Sequence, residues 1–247
     1  MSRKPRIAVI MDENTTAGGS GYEMPKTYFT AVHRAGGMPF GIPYLPDMVE
    51  SVIAEFDGFV SVGGRIRFPH EWYIAGDGSR YPSSERLEVE QALMQGFLER
   101  DKPVLGICNG MQMLACLHGG RMVHEVRKAG SHILDHDNRN AIHSVEIVPG
   151  TMLSRILGTT RLDVNSRHQE AVVEASDRAL TSALADDGVI EAIEIPGRRF
   201  AIGVQWHRRP LPCRTIPATA CSAPLYRRRE ATTENGHGRD SGCPSPF

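Results

Sequence analysis

Cys108 lies in "LGICNGMQ" (residues 105–112), with Gly106 two residues before it and Gly110 two residues after. Gly-x-nucleophile-x-Gly is the spacing of a nucleophile elbow. The reactive side chain stands on a sharp strand-to-helix turn, and the glycines remove side chains that would collide with either element. A thiol there faces the first N–H groups of the helix, so thiolate is favoured and a lowered pKa is expected. The N–H of Asn109 is placed to meet an oxyanion. An ordinary buried cysteine in a strand–turn–helix has the same spacing; Cys116, which lacks the glycines, reads as core. Gly64, at the end of "SVGG" (61–64), is a second candidate oxyanion donor, because a glycine pair lets backbone approach a ligand closely. A plain turn would use the same pair. A thiol nucleophile also needs a base. His207 closes "GVQWH" (203–207), where it can lie at the C-terminal edge of a sheet, the place open α/β folds put their sites. Taken alone, it fits a surface turn as well.

The elements that must hold these residues alternate along the first half of the chain. Strand-like runs at 6–11, 38–44, 57–64 and 102–108 are interleaved with helical patterns at 22–35, 46–56, 84–101 and 109–120. In the third of these helices Val89, Ala92, Leu93 and Phe97 fall on one face, and Ser84 is the candidate N-cap. This alternation predicts a mostly parallel sheet covered on both faces. After residue 120 the pattern turns to strands, at 141–148, 161–168, 189–195 and 199–207, with only short helices such as 151–158 between them. The expected fold is therefore a flavodoxin-like open α/β sheet, mostly parallel, with a smaller antiparallel β portion.

The chain's 247 residues are 40% hydrophobic and 23% charged, with a net charge of −1. That is ordinary for a folded globular protein and gives no bulk electrostatic reason for nucleic-acid or membrane binding. The apolar run at the N-terminus is too short for a signal core, so a cytoplasmic protein is expected. Five cysteines without framework spacing fit reduced thiols. "HILDHD" (132–137) spaces His132, His136, Asp135 and Asp137 as metal ligands can be spaced, but it reads as a polar loop, and neither metal nor cofactor is expected. Residues 208–247 differ in kind: six prolines, seven arginines and three cysteines, with no valine or methionine. Such a composition cannot offset the entropy of ordering. The expected organisation is a folded domain over 1–207 and an atypical, disordered tail over 208–247.

Taken together, "VGG", "GICNGMQ", "NSRHQ" (165–169) and "GVQWH", in that order, resemble the class I glutamine amidotransferase-like superfamily. The chain most resembles its peptidase C26 branch, which includes the γ-glutamyl-γ-aminobutyrate hydrolases. "HSVEIVPGTMLSRILG" (143–158) is similar to that branch too. The resemblance implies a Cys-His-Glu triad that cleaves a small-molecule γ-glutamyl amide, in polyamine or amino-acid catabolism. Cys108 falls on the nucleophile, His207 on the base, and Asn109 and Gly64 on the oxyanion donors. Gln112 falls on a glutamine near the glutamyl group and His168 on a histidine lining the site. Homo-oligomerisation is left open. The chain departs from the pattern where the family reads Trp-His-Pro-Glu: Arg208 and Arg209 stand in the last two places, so the orienting acid is missing. Three functions follow as alternatives. The first is a free-standing thiol hydrolase, the second a glutaminase subunit feeding ammonia to a separate synthetase, and the third a truncated relative with impaired turnover. The abrupt change after His207, in a chain with 24 arginines to 4 lysines, suggests a shifted reading frame in GC-rich DNA.

Overall fold

The computed structural model describes residues 3–14, 21–129, 135–138, 142–165 and 167–207. The expected tail over 208–247, His132 and the "RR" that follows His207 all lie outside the described residues. The chain forms one nine-stranded sheet. Its first five strands, in spatial order, are β4 (Met38–Ile42), β1 (Arg6–Ile10), β5 (Gly58–Ser61), β6 (Val104–Ile107) and β13 (Ala201–Val204). All adjacent pairs among these five are parallel. From β13 onward the sheet is antiparallel, through β12 (Ile190–Glu194), β11 (Leu180–Ala185), β8 (Ile142–Ile147) and β9 (Arg161–Asn165). Two short ribbons accompany it: β2 (Asp12–Glu13) with β3 (Tyr22–Glu23), and β7 (Arg121–Val123) with β10 (Ala171–Glu174). This open α/β sheet, parallel on one side of β13 and antiparallel on the other, is the fold class expected from the sequence, with an antiparallel part as large as the parallel one.

The central strands are buried on both faces. Ile7, Ala8, Val9 and Ile10 of β1 are all buried, and so are all four residues of β5. Such strands read as continuous apolar runs because helices cover the sheet on either side. Helix α3 (Arg86–Glu99) supplies Val89, Leu93 and Phe97 to this core, and the Phe97 ring stacks on Phe59 with centroids 5.5 Å apart. The N-cap position falls on Glu85 and not on the expected Ser84, and Glu85 makes no side-chain cap bond; the Ser84 hydroxyl, one residue earlier, accepts from the Arg86 N–H at 3.1 Å. Helix α4 (Asn109–Leu117) is buried almost all round.

Two departures have local causes. The pattern at 22–35 suggests a single helix, yet α1 runs only over Lys26–Arg34, and Tyr22–Glu23 pairs with Asp12–Glu13 instead. Pro25 is the break: its fixed φ of −57° and missing N–H place it where a helix starts. Between 169 and 188 the sequence has no clear strand signal, but β10 and β11 both form there. The alanine-rich "LTSALA" of β11 has weak strand propensity; it becomes a strand because β12 and β8 flank it on both sides, a case of tertiary context overriding local preference.

Candidate active site

Topology brings the candidate residues together. Strands β5, β6 and β13 are neighbours and parallel, with Ser61 level with Gly106 and Ile107 level with Val204. Each strand therefore ends at the same edge of the sheet. Beyond β5 come Gly63 and Gly64, beyond β6 comes Cys108, and beyond β13 comes His207. All four line one cavity of about 660 Å³, together with Tyr28, Asn109, Gln112 and His168.

Cys108 stands at φ 53° and ψ −105°, a backbone position that L residues seldom occupy and that marks strain held by the surroundings. The flanking glycines have specific reasons. A Cβ on Gly106 would sit 2.5 Å from the Gly110 carbonyl oxygen, and one on Gly110 would overlap the Ser61 hydroxyl. Strand, turn and helix are thus pressed together, and the thiol is carried at the apex. The Asn109 N–H and the Gln205 side chain beside the sulfur favour its thiolate. Burial outweighs them and pushes the Cys108 thiol up to about 12. The lowered thiol pKa expected from the helix start is therefore corrected: dipoles at a helix N-terminus do not compensate for full desolvation.

The glycine pair is explained by close approach. A Cβ at position 63 would strike the His207 ring, and one at 64 would strike the Arg86 guanidinium. Arg86, on α3, has a fully buried side chain. It donates to the Val62 carbonyl at 2.5 Å and the Gly63 carbonyl at 3.2 Å. It also pairs with Glu90 at 2.7 Å and Asp12 at 2.9 Å. Glu90 in turn accepts from Ser61 at 2.7 Å. This buried cluster pins the loop that carries Gly64. Nothing in the local sequence marked Arg86; an arginine at an i, i+4 distance from a glutamate reads as a solvated helix pair.

His207 lies against Gly63, and its Nδ1 is 3.3 Å from the Tyr28 hydroxyl. Burial, reinforced by the neighbouring His168 and Arg167, depresses its pKa to about 4. Tyr28 is itself raised to about 12, chiefly by burial. The resting site therefore holds a neutral thiol and a neutral imidazole. A carboxylate accepts only, so it would fix the proton on Nδ1 and leave Nε2 as base. A phenol both donates and accepts, so Tyr28 fixes the tautomer less firmly and brings no negative charge to an imidazolium.

Gln112 is buried and donates to the Glu170 carbonyl at 2.7 Å and to Gln205 at 3.1 Å. Asn109 donates to Gln112 at 3.3 Å. His168 lines the cavity, but both its ring nitrogens face inward: Nδ1 to the Glu170 carbonyl at 2.9 Å, Nε2 to Glu191 at 3.4 Å. Burial raises the Glu170 carboxyl to about 7. Arg65 and Arg167 bring guanidinium groups to the cavity lining, which also includes Asp12, Glu13, Glu23 and Asp137.

The peptidase C26 family model matches residues 5–209. The chain belongs to the peptidase C26 family. It is 28% identical over 219 residues to the γ-glutamyl-γ-aminobutyrate hydrolase PuuD of Escherichia coli K12, covering 82% of this chain and 85% of that protein. Among solved structures, the glutaminase domain of a Trypanosoma brucei CTPS, crystallised with acivicin, matches with a TM-score of 0.58. It is 18% identical and covers 90% of this chain and 92% of that one. A glutamine amidotransferase of Thermotoga maritima matches with a TM-score of 0.56 at 17% identity, over 83% of this chain and 76% of that one. These structures share the class I glutamine amidotransferase fold. Among the described residues no helix is long and apolar enough to cross a membrane.

Proposed function

We propose that this C26 chain is a thiol hydrolase of small-molecule γ-glutamyl amides, with residues 1–207 as its catalytic unit. The observation that carries the reading is the delivery of Gly64, Cys108 and His207 by three adjacent parallel strands to one cavity. As Cys108 Sγ attacks the amide carbon, His207 takes the thiol proton. The N–H groups of Asn109 and Gly64 meet the oxyanion. The imidazolium then returns the proton to the leaving amine, giving a glutamyl thioester. Water, deprotonated by His207, hydrolyses that thioester and frees glutamate and the thiol. Because thiol and imidazole are both neutral at rest, the proton moves during attack. Arg65 and Arg167 are the cavity's candidates for the substrate α-carboxylate, and the acidic rim suits its ammonium.

The test is incubation with γ-glutamyl-p-nitroanilide, following p-nitroaniline release and the intact mass of the chain. A glutamyl adduct on Cys108 that Cys108→Ala abolishes supports the reading. Release of p-nitroaniline unchanged in Cys108→Ala overturns it. One observation favours a second reading, a relative with impaired turnover: among the described residues the partner of His207 Nδ1 is a phenol, and the sequence has Arg209 where the family pattern has its carboxylate. That reading predicts acylation without efficient deacylation, so adduct accumulates while release stays slow. Glutamine hydrolysis that appears only with an added synthetase would instead identify an amidotransferase subunit.

A further inference from the structure

Behind the cavity wall the antiparallel half of the sheet buries a cluster that the proposed reaction does not use. Glu191, on β12, has a side chain with no exposure. Three imidazole nitrogens converge on its Oε1: His136 Nδ1 at 3.2 Å, His143 Nε2 at 3.2 Å and His168 Nε2 at 3.4 Å. The rings of His136 and His143 lie 4.7 Å apart, and those of His136 and His168 5.0 Å. The donor atoms of His136, His143 and Glu191 all lie within 4.8 Å of one another. These residues come from four separate places: the 135–138 segment, β8, the β9–β10 connection and β12.

Hydrogen bonding on the far side of two rings decides what faces inward. His136 Nε2 lies 2.8 Å from Asp187 Oδ2, and a carboxylate only accepts, so that nitrogen carries a proton. His168 Nδ1 lies 2.9 Å from the Glu170 carbonyl, so it too carries a proton. A ring in its neutral form then presents a lone pair towards the Glu191 carboxylate, where a metal ion can take both; any proton that His136 Nδ1 holds towards Glu191 would leave as the ion binds. His143 Nε2 and His168 Nε2 are buried with no hydrogen bond among the described residues. Asp187 and Glu191 place two carboxylates in a site where their side chains are 3% and 0% exposed.

We propose that His136 Nδ1, His143 Nε2 and Glu191 hold a Zn²⁺ ion. Bonds of about 2.0–2.1 Å to a tetrahedral zinc put neighbouring ligand atoms about 3.4 Å apart, close to the 3.2 Å that separates Glu191 Oε1 from each of the two imidazole nitrogens. Asp187 holds His136 from behind, as metal-ligating histidines are usually held, and His168 stands outside this three-donor group. The ion would staple the 135–138 segment to the sheet. The Gln205 N–H bonds the Glu191 carbonyl at 2.8 Å, so the staple joins the strand that runs on to His207. The spacing of His132, Asp135 and Asp137 is not the relevant one. Asp137 accepts from Gln169 at 2.8 Å, and the ligands that join His136 are His143, seven residues on, and the distant Glu191.

The test uses the full chain with a non-histidine affinity tag. Metal content is measured after growth with zinc, Co²⁺ is titrated into metal-stripped protein while its visible bands are recorded, and melting is followed with and without Zn²⁺. His143→Ala and Glu191→Gln are the comparison variants, and they keep the tail cysteines that could themselves bind metal. The expected result is about one zinc per chain and tetrahedral Co²⁺ bands, both lost in the variants. Melting should rise by about 5–10 °C at a hundredfold excess over Kd. No tetrahedral Co²⁺ spectrum in the wild-type chain overturns the proposal, whether or not the variants fold. So does binding that is equal in wild type and both variants.

Discussion

Replacing Arg86 should separate the stability of the chain from the positioning of its oxyanion loop. The guanidinium donates to Glu90, Asp12 and the carbonyls of Val62 and Gly63. Arg86→Met removes all of these at once and leaves the Glu90 side chain, 1% exposed, with Ser61 as its remaining donor. Breaking one side of a buried pair costs about 3–5 kcal/mol, a large part of the roughly 5–15 kcal/mol by which such chains are stable. At about 2–4 °C per kcal/mol for this size, melting should fall by about 6–20 °C. Arg86→Met/Glu90→Leu removes both charges and should recover most of that loss, because an apolar pair of similar volume is often neutral. The Val62 and Gly63 carbonyls still lack their donor, so the Gly64 N–H is no longer held. Acylation should stay about 10²-fold or more below the parent, the size of losing one oxyanion donor. The assays are calorimetry and single-turnover acylation by γ-glutamyl-p-nitroanilide. A double variant that regains both melting and parental acylation refutes the positioning argument. A single variant that loses under about 1 kcal/mol refutes the buried-pair argument.

Tyr28→Phe removes the partner of His207 Nδ1 and should lower acylation by about fivefold to tenfold, the worth of one net hydrogen bond; an unchanged rate would mean the phenol does not orient the ring. With His207 held near 4 by burial and by the neighbouring His168 and Arg167, and with neutral Tyr28 as its contact, the base stays neutral and competent at mildly acidic pH. The acid limb of kcat/KM should therefore lie near pH 4 to 5, and a limb at the usual histidine value of about 6.5 would contradict the depressed pKa. The same depression has a stability sign: the contribution of neutral His207 is fully present above about pH 6.5 and is lost as pH falls towards 4, where the folded state finally accepts the proton. Replacing residues 208–247 with a family-like end containing Pro-Glu should raise turnover by up to about 10⁴-fold, the loss seen when a triad histidine lacks its acid, and the gain should vanish with Cys108→Ala. Translating the DNA after the His207 codon in the other two frames should yield Pro-Glu and an amphipathic helix; neither frame doing so would remove the frame-shift explanation.

The sheet and its edge were legible because their signals are local. Apolar strand-length runs at 6–11 and 102–108, and glycines flanking Cys108, are read from a few adjacent letters. The residues that tune the site were not legible, because their meaning depends on partners far along the chain. Tyr28 meets a histidine 179 positions away. Arg86 meets the carbonyl of Val62 across a strand-to-helix layer. Glu191 sits in "VIEAIEI", where alternation explains a strand but gives no hint that three imidazoles surround its carboxylate. The thiol shows the remaining limit. The motif correctly gave the turn, but the pKa depends on burial, which the motif does not encode.

Strand β13 is the last strand of the described chain, yet it lies fifth in the sheet, between β6 and β12. During synthesis the parallel strands and the antiparallel strands therefore emerge as two separate sheets, each with an open edge, and no earlier segment can join them. The seam closes only when residues 201–204 are free of the ribosome, so folding is dominated by pairings of long sequence separation and is expected to be slow. Until then the cysteine edge of one half and the Glu191 strand of the other remain exposed to misfolding and to foreign strands. A nascent chain stalled anywhere before residue 201 would thus carry a complete elbow with no base and an unjoined sheet, which makes the arrival of β13 the kinetic checkpoint of this sheet.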